Sequence, residues 1–165
     1  MTMVAEPRPL RVPKNPLEVE LALTGLSPRG VRLYLAEQGS HDFRRQGILD
    51  LLEQDDSFLP ACDLESGEWE SFSSRAVAWI GIPLDLFDGE VPATELFEHR
   101  RVVRVFLLGG TSLLGELLYC APDESSRVVD LMNQKERFFR LWTEDRVFLV
   151  NKQSVQRVVE ERPGR

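Results

Sequence analysis

One stretch of this chain occurs twice. Ile48 to Phe58 reads ILDLLEQDDSF and Val128 to Phe138 reads VVDLMNQKERF, so Asp50, Leu51, Gln54 and Phe58 recur as Asp130, Leu131, Gln134 and Phe138 at a constant offset of 80. Self-similarity at a fixed spacing constrains a fold more than composition does, because each copy must build the same supersecondary unit. Matched positions, Phe58 and Phe138 above all, are therefore expected in equivalent surroundings. A chain of 165 residues accommodates two units of roughly 60 to 70 residues each if they share a core.

The patterning around each copy is that of strands. Leu17, Val19, Leu21 and Leu23 alternate with charged residues, GLSPRG at Gly25 to Gly30 supplies a turn, and Val31, Leu33 and Leu35 resume the alternation. This is a half-buried antiparallel hairpin. Ile48, Leu51 and Leu52 fall at helical spacing in a run too short to be stable without tertiary packing. Phe58 and Leu59 return to strand patterning, and Trp69 to Phe72 with Ala76 to Ile82 form another hairpin that Pro83 ends. The second copy repeats the order: strands at Val102 to Leu108 and Leu114 to Cys120 about a Gly109 to Ser112 turn, a helix over Arg127 to Glu136, then strands near Phe138 to Thr143, Val147 to Val150 and Ser154 to Glu160. In the strand after Ala76, Val77 and Trp79 are expected on one face and Ala78 and Ile80 on the other. One of these two apolar rows needs a cover that a single small barrel does not provide. An interface between the copies, or between subunits of a homo-oligomer, is the simplest remedy.

The expected organisation is a proline-rich tail (1–16) whose composition cannot offset its ordering entropy, a first β module (17–83), an acidic linker (84–100), a second β module (101–160) and a short C-terminal tail (161–165). The fold class is mainly β with short helices, as two tandem homologous barrel-like or bent-sheet modules docked pseudosymmetrically. No apolar run approaches the length of a membrane span. The first residues lack an apolar signal segment, so the expected compartment is the cytoplasm.

Charge is unevenly spread. Residues 1–83 hold 8 Lys and Arg against 13 Asp and Glu, residues 84–99 hold none against 5, and residues 100–165 hold 12 against 9, within an overall net charge of −7. An acidic first copy facing a basic second copy would assist their docking.

Catalytic chemistry has little to work with. His41 and His99 are the only histidines, neither in a metal-binding spacing, and Cys62 and Cys120 form no CxxC pair. Gly109-Gly110-Thr111 joins two strands and lacks the lysine of a phosphate-binding loop, so it reads as a hairpin turn. Asp50 and Asp130 are expected to make local hydrogen bonds at their helices rather than to act as an acid and base pair. No cofactor, metal or enzymatic activity is expected.

The pattern DLMNQKERFF with VFLVNKQSV resembles a family of uncharacterised bacterial proteins that contain one or two such modules. The resemblance covers Val102 to Val159 closely and Val19 to Ile82 loosely, since the first copy has FSSR where the second has VNKQ. In topology the modules are similar to small Sm-like and SH3-like barrels, although neither Sm sequence motif is present, so no RNA-binding role follows from the likeness. The function expected is non-catalytic: an adaptor or regulatory module that binds another protein. The alternative is single-stranded nucleic-acid binding through the basic face of the second module. Candidate binding residues are Trp142, Arg104, Lys135, Arg137, Arg140 and Lys152. Trp69 and Trp79 are further candidate anchors.

Overall fold

In the computed structural model, which describes residues 16–34, 47–54, 57–87 and 97–162, the chain is mainly β. Ten strands form one antiparallel sheet: β1 (Pro16–Leu23), β2 (Arg29–Tyr34), β3 (Phe58–Asp63), β4 (Trp69–Ser73), β5 (Val77–Pro83), β6 (His99–Leu107), β7 (Ser112–Tyr119), β8 (Phe138–Trp142), β9 (Arg146–Asn151) and β10 (Val155–Glu160). Two short helices, α1 (Gly47–Glu53) and α2 (Val128–Met132), precede β3 and β8. The spatial order is β10-β6-β7-β8-β9-β5-β1-β2-β3-β4. In each half the last strand returns to pair with the first, β5 on β1 and β10 on β6, and the halves meet where β5 pairs with β9.

The alternation of β1 and β2 appears as expected: Leu17 lies opposite Leu33 and Val19 opposite Val31, with Val19, Leu21, Val31 and Leu33 buried. On the outer face Glu18 lies opposite Arg32 and forms an ion pair with it at 2.6 Å. The glycine turn between β6 and β7 also holds, with φ of 130° at Gly109 and 90° at Gly110, a region that side chains disfavour.

Two apolar clusters fill the molecule, and they interlock at the junction. The first contains Leu21, Leu33, Ile48, Leu52, Val77 and Ile80, but also Phe138, Val147 and Leu149 from the second half. The second contains Val103, Val105, Leu117, Phe139 and Leu141, but also Ala78 and Trp79 from β5. Every residue of β5 from Val77 to Ile82 is buried, so the apolar row that lacked a cover is covered by the other half of the same chain.

The faces of β5 depart from simple alternation. Val77 shares a cluster with Ile80, while Trp79 joins Ala78 in the other. The cause is a β-bulge: β1 pairs Ala22 with Trp79 and Leu23 with Val77, skipping Ala78 and shifting the phase by one residue. A bulge also interrupts β10, where Val155 lies opposite Leu107 and Arg157 opposite Phe106. The second helix is likewise shorter than its expected span of Arg127 to Glu136. Asn133 to Glu136 are exposed and have no apolar side chain to bury, so the helix ends at Met132.

Before β5 and before β10 the chain makes a 3-10 turn, at Ser74–Ala76 and Lys152–Ser154. Ser73 and Asn151 occupy the position in front, and their side chains accept from the backbone N–H of Arg75 and Gln153 respectively. Asn151 does more than Ser73. It is fully buried, and its Nδ2 donates to the Val77 carbonyl at 2.9 Å across the junction. Replacing Asn151 with alanine is expected to cost about 2 kcal/mol, roughly half from the lost cap and half from leaving the buried carbonyl unpaired. Chemical denaturation of the Asn151→Ala variant measures it; an unchanged midpoint would show that the carbonyl finds another donor.

Candidate interaction site at the two open sheet edges

The six residues nominated from the sequence do not converge on one surface. Arg104, on β6, donates through Nε to Glu161 at 2.9 Å. Its neighbours are similarly engaged, Arg101 with Glu160 at 3.3 Å and Arg100 with Glu116. Arg137 faces the junction, where its guanidinium donates to the carbonyls of Leu52 and of Gln54, the latter at 3.2 Å, and lies over the Phe138 ring. Trp142 is half-buried and meets Phe87 edge-on with ring centres 5.7 Å apart, as part of the packing around the first cluster.

Lys152 closes the end of α2, its Nζ donating to the carbonyl of Gln134 at 3.0 Å and reaching that of Leu131 at 3.5 Å. Burial pulls its pKa below the ordinary lysine value, with partial opposition from Glu136 and Glu53. Lys135 and Arg140 are exposed. Desolvation by surrounding chain draws the Arg140 pKa down all the same.

The repeated carboxylates differ. Asp130 accepts from the backbone N–H of Arg127 at 3.1 Å and from its guanidinium, which holds the Asp130 carboxyl below its usual range. This is the expected local role at a helix start. Asp50 is exposed. His99 bonds through Nε2 to the Ala121 carbonyl at 2.9 Å and stacks on Tyr119. His41 lies outside the described residues. Cys62 is half-buried in β3, whereas Cys120 is exposed rather than a core residue. Among the described residues no group of three or more His, Cys, Asp or Glu side chains could hold a metal.

The surface that does stand out is formed by the two ends of the sheet. Among the described residues β4 pairs only with β3, and β10 only with β6, so each presents an unpaired backbone edge. Beside the β4 edge, Phe58 is 68% exposed and Trp69 is 62% exposed, with Trp69 leaning on Tyr34 at a ring-centre distance of 4.8 Å. Beside the β10 edge lies a groove of about 410 Å³ between that strand and α2, lined by Val128, Val129, Met132, Val155 and Val158 with Lys152 at one end. Val129 is 51% exposed. Trp69 is thus the exposed one of the three tryptophans, since Trp142 is half-buried and Trp79 buried. Of the apolar side chains beside the two edges, sequence reasoning singles out Trp69 alone; it passes over Phe58 and the groove residues, although the periodicity of α2 places Val128, Val129 and Met132 close together.

Phe58 and Phe138 do not share like surroundings: Phe138 is 3% exposed where Phe58 is 68% exposed. The physical reason is the junction. Phe138 belongs to the first cluster, on the far side of the β5–β9 seam from its own half. Its backbone N–H, at 2.7 Å, and that of Arg137, at 2.9 Å, both donate to the Glu53 carboxylate at the end of α1. Among the described residues Phe58 has no corresponding neighbour, since no strand lies beyond β4.

No known protein family matches the chain, and neither the curated proteins nor the solved structures contain a match. No described helix is long and apolar enough to cross a membrane.

Proposed function

We propose that this protein is a non-catalytic protein-interaction module, an adaptor that holds a partner polypeptide along an open edge of its sheet. The observation that carries this reading is the coincidence of an unpaired strand with exposed apolar side chains at both ends of the sheet. Unpaired N–H and C=O groups on a strand recruit a further strand, and apolar pockets beside it select the side chains of the incoming segment. Natural proteins ordinarily blunt such edges with charge, and β4 carries Glu70 within it. The large aromatic side chains next to it oppose that protection.

Nucleic-acid binding through the basic face of the second half is less well supported. Arg100, Arg101 and Arg104 are partly neutralised by Glu116, Glu160 and Glu161, and the whole chain carries −7. Binding to phosphates would have to compete with those carboxylates.

Affinity purification from native cells with the wild-type chain and with Val129→Asp tests the adaptor reading. A defined protein recovered with the wild type and lost with the variant is the expected result. Identical recovery with both would remove the groove from the function. A salt-dependent shift with single-stranded RNA or DNA, abolished by Arg104→Glu with Lys135→Glu, would replace the adaptor reading by the alternative.

A further inference from the structure

We infer that the partner fitted to these edges is a second copy of this chain, docked head to tail: the β4 edge of one molecule, led by Phe58 and Trp69, adds to the β10 edge of the next and fills its groove. This deepens the adaptor reading and rests on it. The template is the seam already present inside the molecule. There β9 of the second half pairs with β5 of the first, Trp79 opposite Val150, Ile80 opposite Leu149, Gly81 opposite Phe148 and Ile82 opposite Val147. Phe138, at the start of β8, enters the cluster that holds Ile48, Leu52, Val77 and Ile80.

Both sides of this seam have counterparts left uncovered. The residues in front of the two 3-10 turns, Ser73 and Asn151, set an offset of 78 for the strands around them. The bulged residues Ala78 and Gln156 obey the same offset. The helices and Phe58/Phe138 obey the offset of 80. On these offsets the acceptor residues Ile48, Leu49, Leu52, Val77 and Ile80 correspond to Val128, Val129, Met132, Val155 and Val158, which are the apolar lining of the groove. The donor residues Phe138 and Val147, 3% and 0% exposed, correspond to Phe58 and Trp69, 68% and 62% exposed. Phe138 and Val147, buried on the donor side of the internal seam, therefore have large exposed equivalents at one end of the sheet, while Val150 corresponds to Phe72, which is buried within its own half. The equivalents on its acceptor side form an open groove at the other end.

Transferring the register by 78 places Arg157 opposite Phe72, Val158 opposite Ser71, Val159 opposite Glu70 and Glu160 opposite Trp69. Asn133, the counterpart of Glu53 at the end of α2, is exposed and carries an amide oxygen able to accept from the N–H of Phe58. Charge is also complementary in this arrangement, since the acidic first half of one copy meets the basic second half of the next. Ser71 and Glu70 stand where the internal seam has Leu149 and Phe148, so the contact between copies is less apolar than the seam and is reversible. Because donor and acceptor surfaces differ, the contact is heterologous. It closes into a ring where the rotation permits and otherwise propagates.

The test uses the full chain. Sedimentation velocity over a concentration series is expected to show wild-type association in the micromolar range. Phe58→Asp and Val129→Asp, both at exposed positions and each checked for an unchanged circular dichroism spectrum, are each expected to weaken it by at least about thirtyfold, the loss of one interface hot spot. The two variants mixed in equal amounts provide the decisive measurement. The first retains an intact groove and the second an intact donor edge, so the mixture forms a heterodimer and nothing larger. A wild type that sediments as a monomer throughout, or a mixture that fails to dimerise, overturns the inference. A monomeric wild type that still captures a different protein, lost on Val129→Asp, would overturn self-assembly while leaving the adaptor reading intact.

Discussion

Phe138→Ala is expected to lower the unfolding free energy by about 3–5 kcal/mol, whereas Phe58→Ala, at the matching position of the repeated stretch, is expected to change it by less than about 0.5 kcal/mol in the monomer. Phe138 is 3% exposed and sits among Ile48, Leu52, Val77 and Ile80, so truncation removes its transfer free energy and leaves a cavity that short, sheet-bound neighbours cannot collapse into. The backbone at this position is also fixed, by the Glu53 carboxylate that accepts from the N–H groups of Arg137 and Phe138. The main chain therefore cannot slide to fill the gap. Phe58, 68% exposed, gives up far less buried area. Urea denaturation at a concentration below self-association measures both. Equal losses for the two variants would mean that Phe58 is buried within its own chain, and the inference about the sheet edges would lose its principal support.

What the sequence made legible follows the range of the interactions concerned. The alternation of Leu17, Val19, Leu21 and Leu23 is a local property of one strand, and it predicted which side of β1 is buried. The glycines at 109 and 110 likewise signal their turn unaided. The phase of β5 was misread, since a bulge at Ala78 depends on how β1 lies alongside. Charge was harder still. Arg104 looks like a free cation in the sequence and is paired with Glu161, 57 residues away, across β10. Arg137 looks like part of a basic surface and serves to bind the end of α1. Two identical phenylalanines at an exact repeat spacing differ in burial because only one of them has a neighbouring half to enter. Site residues chosen by residue type were largely taken up by such pairings. The exposed apolar edges, which depend on which strands end the sheet, became visible only with the strand order.

Gly115→Ala is expected to cost about 3 kcal/mol, more than the ordinary penalty for one added methyl in a packed core. The reason is close approach rather than backbone freedom. β7 is in register with β8 at a single ladder pair, Glu116 opposite Trp142, next to Gly115. A Cβ at Gly115 would stand 2.6 Å from the Trp142 carbonyl oxygen and 2.8 Å from Cγ of Leu141. The first of these neighbours is main chain held by the β8–β9 pairing and the second is a fully buried leucine, so neither has an easy retreat. Gly30, a strand glycine of the first half, is the control: a Cβ there would meet Cδ1 of Leu64 at 3.2 Å. Leu64 is exposed and its side chain can swing outward, so Gly30→Ala is expected to cost less than about 1 kcal/mol. Thermal denaturation of both variants distinguishes the two sites. If Gly115→Ala unfolds at the wild-type temperature, β7 and β8 can separate without loss, and the close approach at Gly115 does not hold the second half in shape. If the two alanine variants lose equal stability, the tight crossing at Gly115 is not the source of the cost, since the effect of glycine-to-alanine exchange on the unfolded chain is stabilising and common to both.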